Sequence, residues 1–184
     1  MEYEVIRSNR KTTALQIKDG KLIVRAPFRA SDAQIQRFVE NNRRWIETHL
    51  EKAAARAKAA ENVPKLTPDE IAALAKKAAE TIPQRVAFYA AKVGVTYGRI
   101  TIRKQRSRWG SCSAKGNLNF NCLLMLAPPE VLDGVIVHEL CHRKEMNHSA
   151  RFYAEVRRVL PDYDARNKWL KENGETLMAR LGEK

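Results

Sequence analysis

The sequence predicts an α+β protein in two parts, a β-hairpin plus helix subdomain over residues 1–62 and a larger domain over 63–184. Three observations carry this. Short β-favouring runs alternate with polar breaks at 3–7, 13–18 and 21–26, and further such runs lie at 99–103 and 117–124. Two helix starts carry capping boxes, Ser31 with Gln34 and Thr67 with Glu70. Between them, from Glu51, the chain becomes Ala/Lys/Arg/Glu-rich without a continuous apolar stripe, an exposed helix end or helical linker closed by Asn62-Val63-Pro64.

Taken in order, Asp19-Gly20 joins Leu15–Lys18 to Lys21–Val24 as a two-residue hairpin turn. After Ser31, Ile35, Phe38, Val39, Ile46 and Leu50 recur at helical spacing. Thr67-Pro68-Asp69-Glu70 starts a helix that runs to about Lys92, bends at Pro83 and stops at Gly94. Arg99–Arg103 alternates as a strand, and residues 106–113 read as a basic turn-forming loop. Residues 117–124 set asparagines on one face and apolar residues on the other, a half-buried strand. A free edge on that strand can pair with an extended peptide. A last amphipathic helix covers about 164–181, interrupted near Asn173-Gly174.

The chemistry gathers in eleven residues, His138 to His148, which hold three of the four histidines. Apolar residues at 131, 132, 135 and 136, after Pro128-Pro129, predict a helix that continues through His142. On it His138 and His142 stand one turn apart, about 6 Å along the axis and about 40° around it. Two imidazoles so placed can bite one zinc ion, and Glu139 can reach the water without binding the metal. This is His-Glu-x-x-His, zinc-activated water with a carboxylate base. A continuing helix would carry His148 about 15 Å beyond His138. The chain therefore has to fold back between Arg143 and Asn147, with Asn147 turning or capping the next helix, Ser149–Leu160. The spacing to His148 equals that of metzincins, but Glu145 stands where they have glycine. Cys141 points off the histidine stripe and reads as a small buried thiol.

Composition narrows the function classes. The formal charge is +13 and the pI about 9.9, so the surface favours anions. Residues 131–184 are nearly balanced, with ten basic and nine acidic side chains, so the excess lies upstream. Arg99, Arg103, Lys104, Arg106, Arg108 and Lys115 lie in a stretch with no acid, which can meet the phosphates of nucleic acid or nucleotide. A solubilising strand-and-loop edge accounts for the same residues. No run approaches a membrane span and no apolar leader opens the chain. Three cysteines are too few for a disulfide framework, so a cytoplasmic setting is expected.

Arg108-Trp109-Gly110-Ser111-Cys112, Asn121, Pro128, His138–His142, Asn147-His148-Ser149 with Phe152, and Pro161-Asp162-Tyr163 follow one another in order. Together they resemble the YgjP-like family of predicted zinc metallopeptidases, related to the SprT-like and WLM zincins. The resemblance is distinctive over roughly 105–165 and looser over nearly the whole chain. It implies a zincin-like domain in which 67–93 backs the active-site helix. It also implies zinc (Zn2+) held by His138, His142 and His148, with Glu139 as catalytic base. Gly134 and Arg143 depart from it, standing where an aromatic and an apolar residue are expected. The expected activity is a metallopeptidase acting on a peptide or protein substrate. The alternative is a nucleoside triphosphate (UTP) pyrophosphatase, an activity assigned to some members of the family. A nucleic-acid-associated module with a zinc site explains the charge but not Glu139, and three histidines leave a fourth position open. Arg108, Asn119 and Tyr153 are the candidates to stabilise an oxyanion, and spacing selects none of them.

Overall fold

The β-favouring runs at the start of the chain pair into a three-stranded sheet in the computed structural model, which describes residues 1–18 and 20–182 without the side chains of residues 56 and 59–61. Strands β1 (Glu4–Ser8), β2 (Ala14–Lys18) and β3 (Lys21–Pro27) take the order β1-β3-β2, with β3 parallel to β1 and antiparallel to β2. Lys18 faces Lys21, so two residues make the turn. Gly20 is there in the left-handed region at φ 73°, which glycine adopts without a Cβ clash; Asp19 lies outside the described residues. Helix α1 (Asp32–Asn41) starts on the Ser31 capping box, with both reciprocal hydrogen bonds made. The apolar spacing from Ile35 to Leu50 reads as one helix, but the chain breaks at Asn42 and α2 (Arg43–Glu61) begins afresh. The Asn42 side chain donates to the Phe38 carbonyl at 2.7 Å, a local bond that ends α1. Leu22, Val24, Ala26, Ile35, Val39 and Ile46 form the core of this unit, Met1–Asn62.

The second unit, Val63–Lys184, holds every residue of the histidine cluster. Helix α3 (Pro68–Val93) starts on the Thr67 box and ends at Gly94, φ 77°; it runs on past Pro83. Strands β4 (Ile100–Arg103), β5 (Gly110–Cys112) and β6 (Leu118–Asn121) make a sheet in the order β4-β6-β5. This corrects two expectations. Residues 110–112 of the basic loop are a strand, and β6 is central, parallel to β4 and antiparallel to β5, so it has no free edge. The edge is β5. Asn121 is also not on a solvated face. It is 0 % exposed, donates to the Gln105 and Arg108 carbonyls and accepts from the Leu123 amide, which fastens the loop before β5. A 3-10 turn, Cys122–Leu126, leads to α4 (Pro129–Cys141).

Helix α4 is buried from Val131 to Val137 on every side, which requires the near-continuous apolar run it has. Its one buried carboxylate there, Asp133, accepts from the Arg85 guanidinium and from Tyr89 Oη at 2.9 Å, both on α3. Ala78, Ile82, Val86, Ala90 and Val93 of α3 share one core with Leu132, Ile136 and Leu140 of α4. Thus α3 backs α4. Helices α5 (Ala150–Val159) and α6 (Tyr163–Ala179) complete the unit. Helix α6 is not interrupted at Gly174: that glycine is buried, and a Cβ there would lie 3.1 Å from the Trp109 indole. The glycine makes room for a neighbour instead of ending the helix. No helix among the described residues is long and apolar enough to cross a membrane.

Candidate active site

The end of α4 turns because its last amides tighten onto Leu140 and Cys141. Arg143 donates its amide to the Leu140 carbonyl, and Lys144 and Glu145 donate theirs to Cys141, at 2.9–3.0 Å. The Arg143 side chain pins this turn by donating to the carbonyls of Thr96 and Ala114. The chain then folds back and restarts as α5 on Ser149, which accepts from the Phe152 amide; Ser149, not Asn147, is the cap. His148, the residue before that cap, comes back onto α4 with its Nε2 3.0 Å from His138 Nε2.

His138, His142 and His148 each present a nitrogen, all within 4.8 Å of one another. Phe152, wholly buried, is the floor under them, with its ring 4.6–4.9 Å from each imidazole. His142 Nδ1 donates to the Glu145 carbonyl at 3.1 Å, and His138 Nδ1 meets Tyr163 Oη at 2.8 Å. The donating Nδ1 of His142 leaves its Nε2 with a lone pair. The Nε2 atoms of His138 and His148, facing at 3.0 Å, need a proton or a cation between them. Burial, then His142 and His148, pushes His138 down to about 3, so it stays neutral, the form that binds metal. The donor set therefore fits a divalent ion with an affinity for imidazole. Cys141 is fully buried, pushed up to about 11 mainly by that burial, and is not among the converging groups.

Glu139 is 6 % exposed and accepts no hydrogen bond from any described residue. Burial pushes its carboxyl up to about 8, against a smaller opposing pull from Arg108. Its position depends on Gly110 at the start of β5. A Cβ built on Gly110 would lie 2.6 Å from Glu139 Oε1 and 2.8 Å from its Cγ, so the carboxylate rests on bare backbone. The outer edge of β5 pairs with no other strand among the described residues. A cleft of about 340 Å³ opens between the histidines, Glu139, the β5 backbone and Arg108.

Of the three oxyanion candidates, only Arg108 lines this cleft. Asn119 is engaged with Ser111 Oγ at 3.1 Å, and the Tyr153 ring stacks 6.3 Å from His148. Arg106 is turned away, holding the Gly182 and Leu181 carbonyls. Spacing arguments missed Tyr163 and Gly110 as partners of His138 and Glu139. Both sit inside quoted motifs, but only the tertiary fold brings them to their partners.

A family model described as "YgjP-like, metallopeptidase domain" matches residues 11–72 and 67–173. Among solved structures, the metallopeptidase zymogen abylysin of Pyrococcus abyssi superposes with a TM-score of 0.46 at 19% identity, over 50% of this chain and 94% of that one. Jannalysin of Methanocaldococcus jannaschii, also a metallopeptidase zymogen, gives 0.45 at 22%, over 50% and 95%. No curated protein matches the chain. Because the family model spans both the N-terminal unit and the histidine-bearing one, the chain belongs to the YgjP-like family and is a metallopeptidase.

Proposed function

We propose that the chain hydrolyses peptide bonds with zinc held by His138, His142 and His148 and with Glu139 as general base. The observation that carries this is the convergence of three imidazole nitrogens beside a buried, unbonded carboxylate. Three imidazole nitrogen donors on an open cleft suit zinc and leave it a free position. Bound zinc supplies a Lewis acid that polarises a carbonyl and lowers the pKa of water. Glu139 takes a proton from the attacking water and passes it to the leaving amine, a role its raised proton affinity suits. Tyr163 and the Glu145 carbonyl orient the rings of His138 and His142. The free edge of β5 aligns an extended substrate across Glu139 by backbone pairing. Arg108 stabilises the negative charge that develops in the cleft.

On this reading residues 63–184 are the catalytic domain and 1–62 an appended subdomain, in a chain whose three free thiols suit a reducing cytoplasm. The pyrophosphatase reading needs several cations around a triphosphate. Within the cleft the basic stretch contributes only Arg108.

The test is an assay of the zinc-loaded chain on unfolded proteins and, in parallel, on nucleoside triphosphates, with Glu139→Gln as control. Peptide cleavage that collapses in Glu139→Gln at unchanged zinc content is expected. Splitting of UTP without peptide cleavage, or full turnover in Glu139→Gln, would overturn the proposal.

A further inference from the structure

A second, more enclosed cavity of about 170 Å³ also borders His138 and Glu139, and Arg108 does not line it. Two helix stripes build it. Val131, Gly134, Val135 and His138 lie on α4 at positions i, i+3, i+4 and i+7, and Tyr163, Arg166, Asn167 and Leu170 do the same on α6. Such spacing places each set on one helix face. Trp109 and Gly110 complete the wall at the β5 side.

Gly134 is the small position in the α4 stripe. Glycine inside a helix is unfavourable relative to alanine, so its presence in the buried stretch of α4 marks a demand for space. A Cβ there would already lie 3.3 Å from Arg166 Cβ. Arg166 does not make the cavity cationic. Its guanidinium is turned to the Asp162 carboxylate and the Glu130 carbonyl, so its alkyl stem faces the wall. The lining is thus mainly valine, leucine, tryptophan, the Tyr163 ring, the Arg166 stem and bare backbone, with the Asn167 amide as a polar group and His138 and Glu139 at one end.

We infer that this cavity is a specificity subsite that receives one medium-sized apolar side chain of the substrate, leucine, methionine or phenylalanine, at a residue flanking the cleaved bond. The inference rests on the peptidase reading above. The size argument is independent of it: an apolar cavity of about 150 Å³ accommodates a benzene ring, so this one takes a branched aliphatic side chain or a single six-membered ring. An anionic side chain would lose its hydration there, with the Arg166 guanidinium already paired to Asp162.

Two measurements test it. In methyl NMR spectra of the full chain as isolated, titration with N-acetyl-leucinamide should shift the Val131, Val135 and Leu170 methyls saturably, while N-acetyl-glycinamide should not. Leu170→Trp, and separately Val131→Leu, should abolish the response at an unchanged melting temperature. Cleavage of a peptide library by the zinc-loaded chain should show leucine, methionine or phenylalanine favoured over alanine by about tenfold or more at one position beside the cut. Leu170→Ala should move that preference toward tryptophan, and Leu170→Trp toward alanine and serine. Glu139-dependent cleavage with no such preference, or with one that Leu170 changes leave in place, overturns the inference while the peptidase reading stands. Methyl shifts equal for both amides overturn it too. Absence of any Glu139-dependent cleavage removes the peptidase reading itself, and with it the cavity's role as a substrate subsite.

Discussion

Gly110 shows how one missing side chain can fix the place of a buried carboxylate. The Glu139 carboxylate occupies the volume that a Cβ at 110 would need, with 2.6 Å between the two positions. Such an overlap is relieved only by moving the carboxylate or the strand. Gly110→Ala should therefore lower turnover by roughly a hundredfold or more, the scale of a 1 Å misplacement in an active site. Zinc content should stay near one per chain, since Gly110 is neither one of the three histidines nor one of their hydrogen-bond partners. Turnover within a few-fold of wild type, measured beside metal analysis, would show that Glu139 does not need this position.

At the scale of elements, the loop between β4 and β5 divides the positive charge by task. Arg106 ties the loop to the carbonyls of Leu181 and Gly182, Arg103 and Lys104 are exposed, and Arg108 lines the cleft. A charge-assisted contact to a developing anion contributes ~1.5–3 kcal/mol, so Arg108→Ala should cost roughly tenfold to over a hundredfold in kcat/KM. Arg103→Ala and Lys104→Ala should leave peptide cleavage within a few-fold, because exposed residues away from such contacts change little. Arg106→Ala should lower the melting temperature more than it lowers turnover. If Arg103→Ala and Lys104→Ala instead raise KM for UTP, the loop serves a nucleotide. The same loop misled the sequence reading. Three residues, Gly110-Ser111-Cys112, are too short and too poor in apolar character to signal a strand, and they become one only because β6 offers a partner.

For the molecule as a whole, metal should be a folding ligand. The three histidines come from α4, from its C-terminal turn and from the residue before α5, so an ion held by them ties segments that separate on unfolding. At free zinc a hundredfold above its dissociation constant the stabilisation is ~2.7 kcal/mol, a rise of roughly 5–10 °C in melting temperature for a chain of this size. A chelator should reverse it. His148 is exposed, so His148→Ala should melt like the metal-free wild type and lose most of the rise. An undiminished zinc response in that variant would mean another residue takes its place, Glu155 being the nearest acid on α5 to consider.

Local signals decided much of this protein before any tertiary contact. The capping boxes at Ser31 and Thr67, the left-handed Gly20 and Gly94, and the apolar run ahead of His138 act through backbone geometry and solvation within one turn of chain, so they are legible residue by residue. The spacing of His138, Glu139 and His142 is of that kind as well. Other features depend on what packs against them. Whether Asn121 faces water or fastens a loop depends on the carbonyls of Gln105 and Arg108, and whether Gly174 breaks a helix depends on the Trp109 indole. That β6 is central, that Tyr163 reaches His138, and that Gly110 lies under Glu139 are likewise contacts between residues far apart in the chain. Sequence periodicity carries the preference of one element for a buried face. It carries no record of which distant residue will cover that face, and here that choice shapes both the cleft and the cavity beside it.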